Sequence, residues 1–258
     1  GTDTIDQSHL PLSASLAELL RTRGNLYIKD YGPGSSATLS MNGGKANEVS
    51  LIWDGITVSN PMLGLNDFSL ISTGEEYHFR IADMTSAAIL GAGSIAGAVL
   101  IDPAWEDRSS ALSASAGISS LHQATGRISF AGNKDNYRHQ TTLNGQTTEN
   151  NFKYKDITGL TRKMEHARTR HLDGRHHSQF LIRPKTLLSA SLWMRSQFRE
   201  LPPTLTEALS RATQDDEFIR SVLTLQHRGK MHILRAKAYY GYQNQEYTDP
   251  EIRLDARH

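Results

Sequence analysis

The sequence predicts a mainly β protein in two parts. A small α+β N-terminal domain comes first, followed by long strands of the transmembrane antiparallel β-barrel type. Three observations carry this reading. Residues 1–107 hold short strands, one amphipathic helix and turns marked by glycine and proline. From Ser109 the texture changes to long strands of modest alternation, with small polar residues filling one face. The connections between those strands are short on one side and long on the other, the asymmetry of outer-membrane barrels.

Composition narrows the field. Lys+Arg 28 against Asp+Glu 27 leaves no basic excess for a nucleic-acid protein. Without cysteine there is no thiol nucleophile, disulfide scaffold or zinc ribbon. No apolar run reaches the ~20 residues of a transmembrane helix. That leaves a membrane barrel open, because its strands are only half hydrophobic. No signal peptide stands at Gly1, so an exported protein is expected here in processed or trimmed form.

Taken in order, SLAELLRTRG reads as a helix. Leu12, Leu16, Leu19 and Leu20 share a face, Ser15 and Glu18 are spaced as a capping box, and Gly24 is placed to end it. Leu26 to Lys29 is a short strand. ATLSM (Ala37 to Met41) and EVSLIW (Glu48 to Trp53) are strands on either side of the turn Asn42-Gly43-Gly44-Lys45. Asp54-Gly55 separates LIW from ITV, the signal of a two-residue hairpin whose central positions need positive φ. The stretch Asn25 to Asp67 thus reads as a hairpin ladder flanked by two irregular loops, Asp30 to Ser36 and Ser59 to Asp67. EEYHFRI gives another strand, and AAILGAGSIAGAVLID ends in the strand Ala98 to Ile101.

In the second part, SSALSASAGI, LHQATGRISFAG and NYRHQTTLNGQT are strands, followed by one through His171, Gln179 and Ile182. TLLSASLWMRSQF, DEFIRSVLTLQH and MHILRAKAYYGYQNQ complete about seven, of barrel-strand length. GNKD, RPK and RGK are short turns. Asn150 to Lys163 and Glu200 to Asp216 are long loops. The connection near Ser119 to His122 is short and breaks the alternation. A β-sandwich gives similar strands, though usually shorter ones without alternating loop lengths.

Each chemical motif has a bland competitor. LGAGSIAG resembles a dinucleotide fingerprint, but its spacing is G-x-G-x-x-x-G, no amphipathic helix follows, and no acid stands twenty residues on. Close backbone packing explains it better. His166, His171, His176 and His177 invite a metal, yet adjacent strand residues point to opposite faces, so solvated lumen or loop histidines are expected. Asp215, Asp216 and Glu217 read as a solvated acidic cluster in a loop. No serine sits in a nucleophile elbow. No catalytic residue, cofactor or metal is predicted. Trp193, Phe198, Tyr239, Tyr240, Tyr242 and Tyr247 suit either a core or an interfacial girdle.

The order ATLSMNGG, LIWDGITVSNPMLGLND, ILGAGSIAGAVLID and then many long amphipathic strands resembles the plug and early barrel of TonB-dependent outer-membrane receptors, over essentially the whole chain. YIKDYGPGSSATLSMNGG, NNFKYKDITG and ELPPTLTEA are similar to the cobalamin-receptor-like branch of Bacteroidetes-type bacteria. The resemblance implies a plug at 1–107 and barrel strands at 108–258, part of a roughly 22-stranded barrel. It implies the outer membrane of a Gram-negative bacterium and uptake of a bulky scarce nutrient, cobalamin first and a ferric siderophore or haem second. The implied partners are periplasmic TonB, that nutrient, outer-membrane lipid and a surface lipoprotein lid. The plug's apical, ligand-contacting loops map to Tyr31, Gly32, Pro33, Gly34 and Ser35, and to Asn60, Pro61, Met62, Leu63, Gly64, Leu65 and Asn66. Tyr31, Met62 and Leu65 would give apolar contact, and Asn60 and Asn66 hydrogen bonds.

The chain departs from the family in places. Asn42 replaces the usual arginine, which puts its ion pair in doubt. Asp83-Met84 stands where Gly-Pro is common, and no TonB box precedes Leu12. About seven strands do not close such a barrel, so a fragment of a longer receptor is expected. Two other classes compete: a soluble β-rich adhesion module recognising a surface glycan, motivated by 38% hydrophobic residues, and a nucleotide-dependent enzyme built on LGAGSIAG.

Overall fold

The structure is a computed structural model. It describes residues 2–7, 14–21, 26–30, 36–58, 65–74, 76–87, 94–105, 110–119, 122–156, 158–203, 210–251 and 254–257. The chain divides into two compact units, Gly1–Glu106 and Asp107–His258.

In the first unit, β1 (Thr2–Thr4) is followed by helix α1 (Leu16–Arg21). The capping box forms as the spacing predicts. The Ser15 backbone N–H donates to Glu18 Oε2 at 2.7 Å, and the Glu18 N–H donates to Ser15 Oγ at 3.3 Å. Leu16, Leu19 and Leu20 are fully buried. At ~2 kcal/mol each, that burial and not intrinsic propensity holds so short a helix.

Five strands follow: β2 (Leu26–Asp30), β3 (Ala37–Met41), β4 (Val49–Trp53), β5 (Ile56–Thr57) and β6 (Tyr77–Ala82). A four-residue helix α2 (Met84–Ala87) and strand β7 (Gly97–Pro103) complete the unit. The ladder expected over Asn25 to Asp67 is divided between two sheets. β2 and β3 pair with each other, while β4 joins a five-stranded sheet of order β1-β6-β7-β4-β5. There β4 runs parallel to β7 and β6 antiparallel to it. Glu48 belongs to a 3-10 turn and not to β4. The Asp54-Gly55 hairpin is as expected: Trp53 pairs with Ile56, and φ is 46° and 72° at the two turn residues.

LGAGSIAG meets the packing reading at its last glycine. Gly97 has φ 143°, and a Cβ there would lie 2.9 Å from the Ala82 carbonyl oxygen and from Met41 Cε. β7 begins at that residue, so a strand, not the helix of a nucleotide site, follows. Asn42 Nδ2 donates to the Ala96 carbonyl at 2.9 Å, a tie within this unit where an arginine was expected.

In the second unit, β8 (Ser110–Ser119), β9 (Gln123–Lys134), β10 (Tyr137–Thr148), β13 (Thr169–Arg183), β14 (Thr186–Glu200), β15 (Thr213–Arg228), β16 (Ile233–Asp249) and β17 (Leu254–Arg257) form one antiparallel sheet in chain order. Among the described residues β8 and β17 are its edges. Two short strands, β11 (Lys153–Lys155) and β12 (Thr161–Lys163), make a separate hairpin inside the first long loop. The second long loop ends earlier than predicted. β15 starts at Thr213, which puts Asp215 and Asp216 on a strand.

The sheet is amphipathic in the sense opposite to a soluble protein. Along β15, Phe218, Arg220, Val222 and Thr224 are buried while Ile219, Leu223 and Leu225 are 41%, 48% and 44% exposed. The alternation continues across the pairing. Leu143, Leu172, Met194 and Tyr242 stand on the exposed face, and Asn144, Asp173, Arg175 and Arg195 on the buried one. Apolar side chains outward and polar ones inward is the pattern of a wall in lipid.

Candidate functional site

Two regions hold the candidate residues, one in each unit. In the first, Tyr31, Gly32, Pro33, Gly34 and Ser35, with Asn60, Pro61, Met62, Leu63 and Gly64, lie outside the described residues. Leu65 and Asn66 are described. Leu65 is half-buried, and Asn66 is 5% exposed, with Nδ2 donating to the Val49 carbonyl at 3.1 Å. Asn66 therefore uses its amide N–H within the unit, on β4.

The next residue, Asp67, ties together two described positions, the start of β3 and the 3-10 turn that follows it. Asp67 Oδ1 accepts from the Ala37 N–H at 2.9 Å, from the Ser69 N–H at 3.0 Å and from Ser69 Oγ at 2.6 Å. Ala37 opens β3 directly after the first segment, and Asp67 caps the 3-10 turn Phe68–Leu70 directly after the second. Phe68 beside it is buried in the core. The sequence reading passed over Asp67. The available signal was D-x-S ahead of an apolar run, a local cap pattern.

In the second unit the buried face carries a charged cluster built on β13, β14 and β15. Asp173 is its centre. Trp193 Nε1 donates to Asp173 Oδ2 at 2.8 Å, Arg175 Nε lies 2.6 Å from Oδ1, and Arg195 Nη1 lies 3.4 Å from Oδ2. The three charged side chains are 2–3% exposed. Trp193 is also sandwiched: the Arg175 guanidinium carbon lies 4.9 Å and that of Arg220 5.4 Å from its ring, and Phe218 meets it edge-on at 5.0 Å.

Asp216 makes a second centre. It pairs with Arg199 at 3.2 Å and accepts from Gln214 Nε2 at 3.0 Å and Gln245 Nε2 at 2.8 Å. Asp216 is thus a buried, paired residue, not the solvated loop acid expected. Strand alternation turns it to the polar face and leaves Asp215 and Glu217 on the other.

The histidines separate as strand geometry requires. His177 is buried with Nδ1 2.9 Å from Ser191 Oγ, whereas His176, on the other face, contacts Thr141 Oγ1 at 2.8 Å. His171 meets Asn144, and His166 meets the Ala212 carbonyl. Burial of His177 departs from the solvated histidine predicted. Among the described residues no group of three His, Asp or Glu is placed to hold a metal.

Outside the sheet, Asp156 organises the β11–β12 hairpin. It accepts from Thr158 Oγ1 at 2.6 Å, the Thr158 and Leu160 N–H groups at 2.9 and 3.1 Å, and Arg162 Nε at 2.6 Å. The Thr158 hydroxyl first, and Arg162 second, hold its carboxyl well below the usual carboxylate range, and Asp156 raises Arg162 in turn.

No family model and no curated protein matches the sequence. Solved structures share its fold. The copper transporter OprC aligns with TM-score 0.75 at 16% identity, over 98% of this chain and 38% of that one. The FrpB iron transporter from Neisseria meningitidis gives 0.74 at 14%, over 98% and 41%. The siderophore receptor PiuA from Acinetobacter baumannii gives 0.71 at 14%, over 96% and 37%. The chain spans less than half the length of these proteins. The fold is that of part of a TonB-dependent outer-membrane receptor, and the neighbours' titles name transporters and receptors.

Proposed function

We propose that the chain is the plug and first barrel strands of a TonB-dependent outer-membrane receptor that imports a bulky, metal-bearing nutrient. The observation that carries this is the inverted sheet of the second unit, with exposed leucine, isoleucine and tyrosine on one face and buried, paired arginine and aspartate on the other. That arrangement is costly in water and favourable in a bilayer. The plug is residues 1–107 and the barrel strands begin at 108. Tyr31 to Ser35 and Asn60 to Asn66 are the ligand-contacting segments.

The cargo class is supported by the neighbours' own titles, which name copper, iron and siderophores for those proteins. A ferric siderophore, haem and cobalamin all belong to it. TonB, and a surface lipoprotein lid, are the proposed partners. Whole-cell uptake by the complete gene product, measured with cyanocobalamin, haem and a ferric siderophore, tests the proposal. Saturable uptake of one of them that vanishes when TonB is deleted is the expected result. Uptake that survives the deletion rejects it.

A soluble adhesion module is the other reading. It requires the chain to sediment as a monomer in buffer without detergent. The exposed apolar face predicts aggregation there instead.

A further inference from the structure

We infer that the short-turn end of the long-stranded sheet is a docking surface for anionic phospholipid headgroups, those of the membrane leaflet that meets these turns. The inference rests on the reading of the sheet as a barrel wall and goes beyond it by assigning a lipid class to one rim.

The three short turns form one continuous rim. GNKD joins β9 to β10, RPK joins β13 to β14, and RGK joins β15 to β16. The Leu181 N–H donates to the Asn136 carbonyl at 2.7 Å, tying the first turn to the second. The Arg228 N–H donates to the Lys185 carbonyl at 2.9 Å, tying the second to the third. Lys134, Arg183, Lys185 and Lys230 stand exposed along this rim. Among the described residues none of the four is in an ion pair. Charge here is one-sided: residues 128–143, 175–190 and 220–240 hold ten lysines and arginines and a single carboxylate, Asp135. The chain as a whole is balanced at 28 cations against 27 acids, so the excess is local to this end.

A solvated charge run would only face water. This one borders an apolar band in the order of a membrane interface. Lys134 pairs with Tyr137, and Tyr137 with Phe180, across the outward face. Both rings are exposed, as are Ile182 and Leu234 beside the other two turns. Cations, then aromatic rings, then aliphatic side chains match phosphate, glycerol and acyl chain in turn. An anionic phospholipid supplies both the counter-charge and the apolar contact. An acidic protein would supply the charge without needing that border.

The complete receptor is refolded into vesicles of equal phosphatidylglycerol and phosphatidylcholine, released in mild detergent, and weighed by native mass spectrometry with the lipid it retains. The wild type should retain phosphatidylglycerol in preference. That preference should fade as ionic strength during release rises from about 0.01 to 1 M, where the screening length falls from about 30 to 3 Å. Lys134→Gln, Lys185→Gln and Lys230→Gln together should lower the ratio, by up to about fivefold per charge. Lys153→Gln, Lys155→Gln and Lys163→Gln remove equal charge from the β11–β12 hairpin, at the opposite end of the strands, and should leave it unchanged. If the rim triple variant fails to fold, its three single variants and the wild-type salt series carry the test. No preference in the wild type, a preference insensitive to salt and to the rim variants, or equal losses from both triple variants overturns the inference. So does a rim variant that impairs uptake where the wild type shows no lipid preference, which assigns the rim to an acidic protein. A receptor that does not enter the vesicles rejects the barrel reading as well, whereas entry without preference rejects this inference alone.

Discussion

Asp173 shows what a buried charge on the lumen-type face demands. Its two oxygens meet Arg175, Arg195 and the Trp193 N–H, all nearly solvent-free. Removing it leaves two buried guanidinium groups without that counter-charge. Asp173→Ala should therefore cost about 3–5 kcal/mol, read as a lower thermal midpoint in detergent. Trp193→Phe keeps a ring for Arg175 and Arg220 but removes the donor, so its loss should be smaller, about 1–3 kcal/mol. Equal losses in the two variants would show that the indole N–H, and not the charge balance, dominates. Gly97 illustrates a different constraint. Its φ and the carbonyl of Ala82 leave no room for a side chain, so the residue is dictated by sheet geometry and not by any phosphate.

Among the elements, β15 and the β11–β12 hairpin make separable predictions. Leu223 stands on the exposed apolar face of β15. Leu223→Arg should lose about 2–4 kcal/mol of stability in a bilayer. Gln226→Arg, on the opposite face of the same strand, should lose far less. Refolding into vesicles and urea titration compare them, and equal losses would reject a lipid-facing assignment.

The hairpin gives a pH prediction. The folded Asp156 carboxyl lies below its ordinary value of 3.8, so the ordering it supplies is complete above that pH. It is lost only as pH falls further, through the depressed folded value. Exchange protection of 153–163 should hold from pH 7 down to 3.8 in the wild type and be weaker throughout in Asp156→Ala. Protection lost already between pH 5 and 4 would reject the sign.

At the scale of the whole molecule, what was legible in the sequence is local. The capping box at Ser15 and Glu18, the hairpin at Asp54-Gly55, and the strand at Ala37 to Met41 all depend on neighbours a few residues apart. So does the opposite facing of His176 and His177. Period-two alternation also announced the long strands, because each strand's own residues specify its two faces. The second loop was misjudged at its end because Asp215 and Asp216 are polar, and polarity there signalled solvent. On a wall whose inner face is polar, the same residues are a strand.

The class of the fold is local information: a short α+β part, then long amphipathic strands joined by short turns and longer loops. Tertiary structure alone decided which strands pair, sending β3 to β2 and β4 to a parallel partner, β7, beyond β5 and β6. It also decided that Asn66 is spent on Val49, that Asp216 meets Arg199, and that Asp67 holds Ala37. The physical reason is range. Turns, caps and facing are fixed by interactions within a few residues, whereas the β4–β7 pairing and these three side-chain contacts join residues 17 to 48 positions apart. Their closure depends on the packing of the finished unit, which no local pattern encodes.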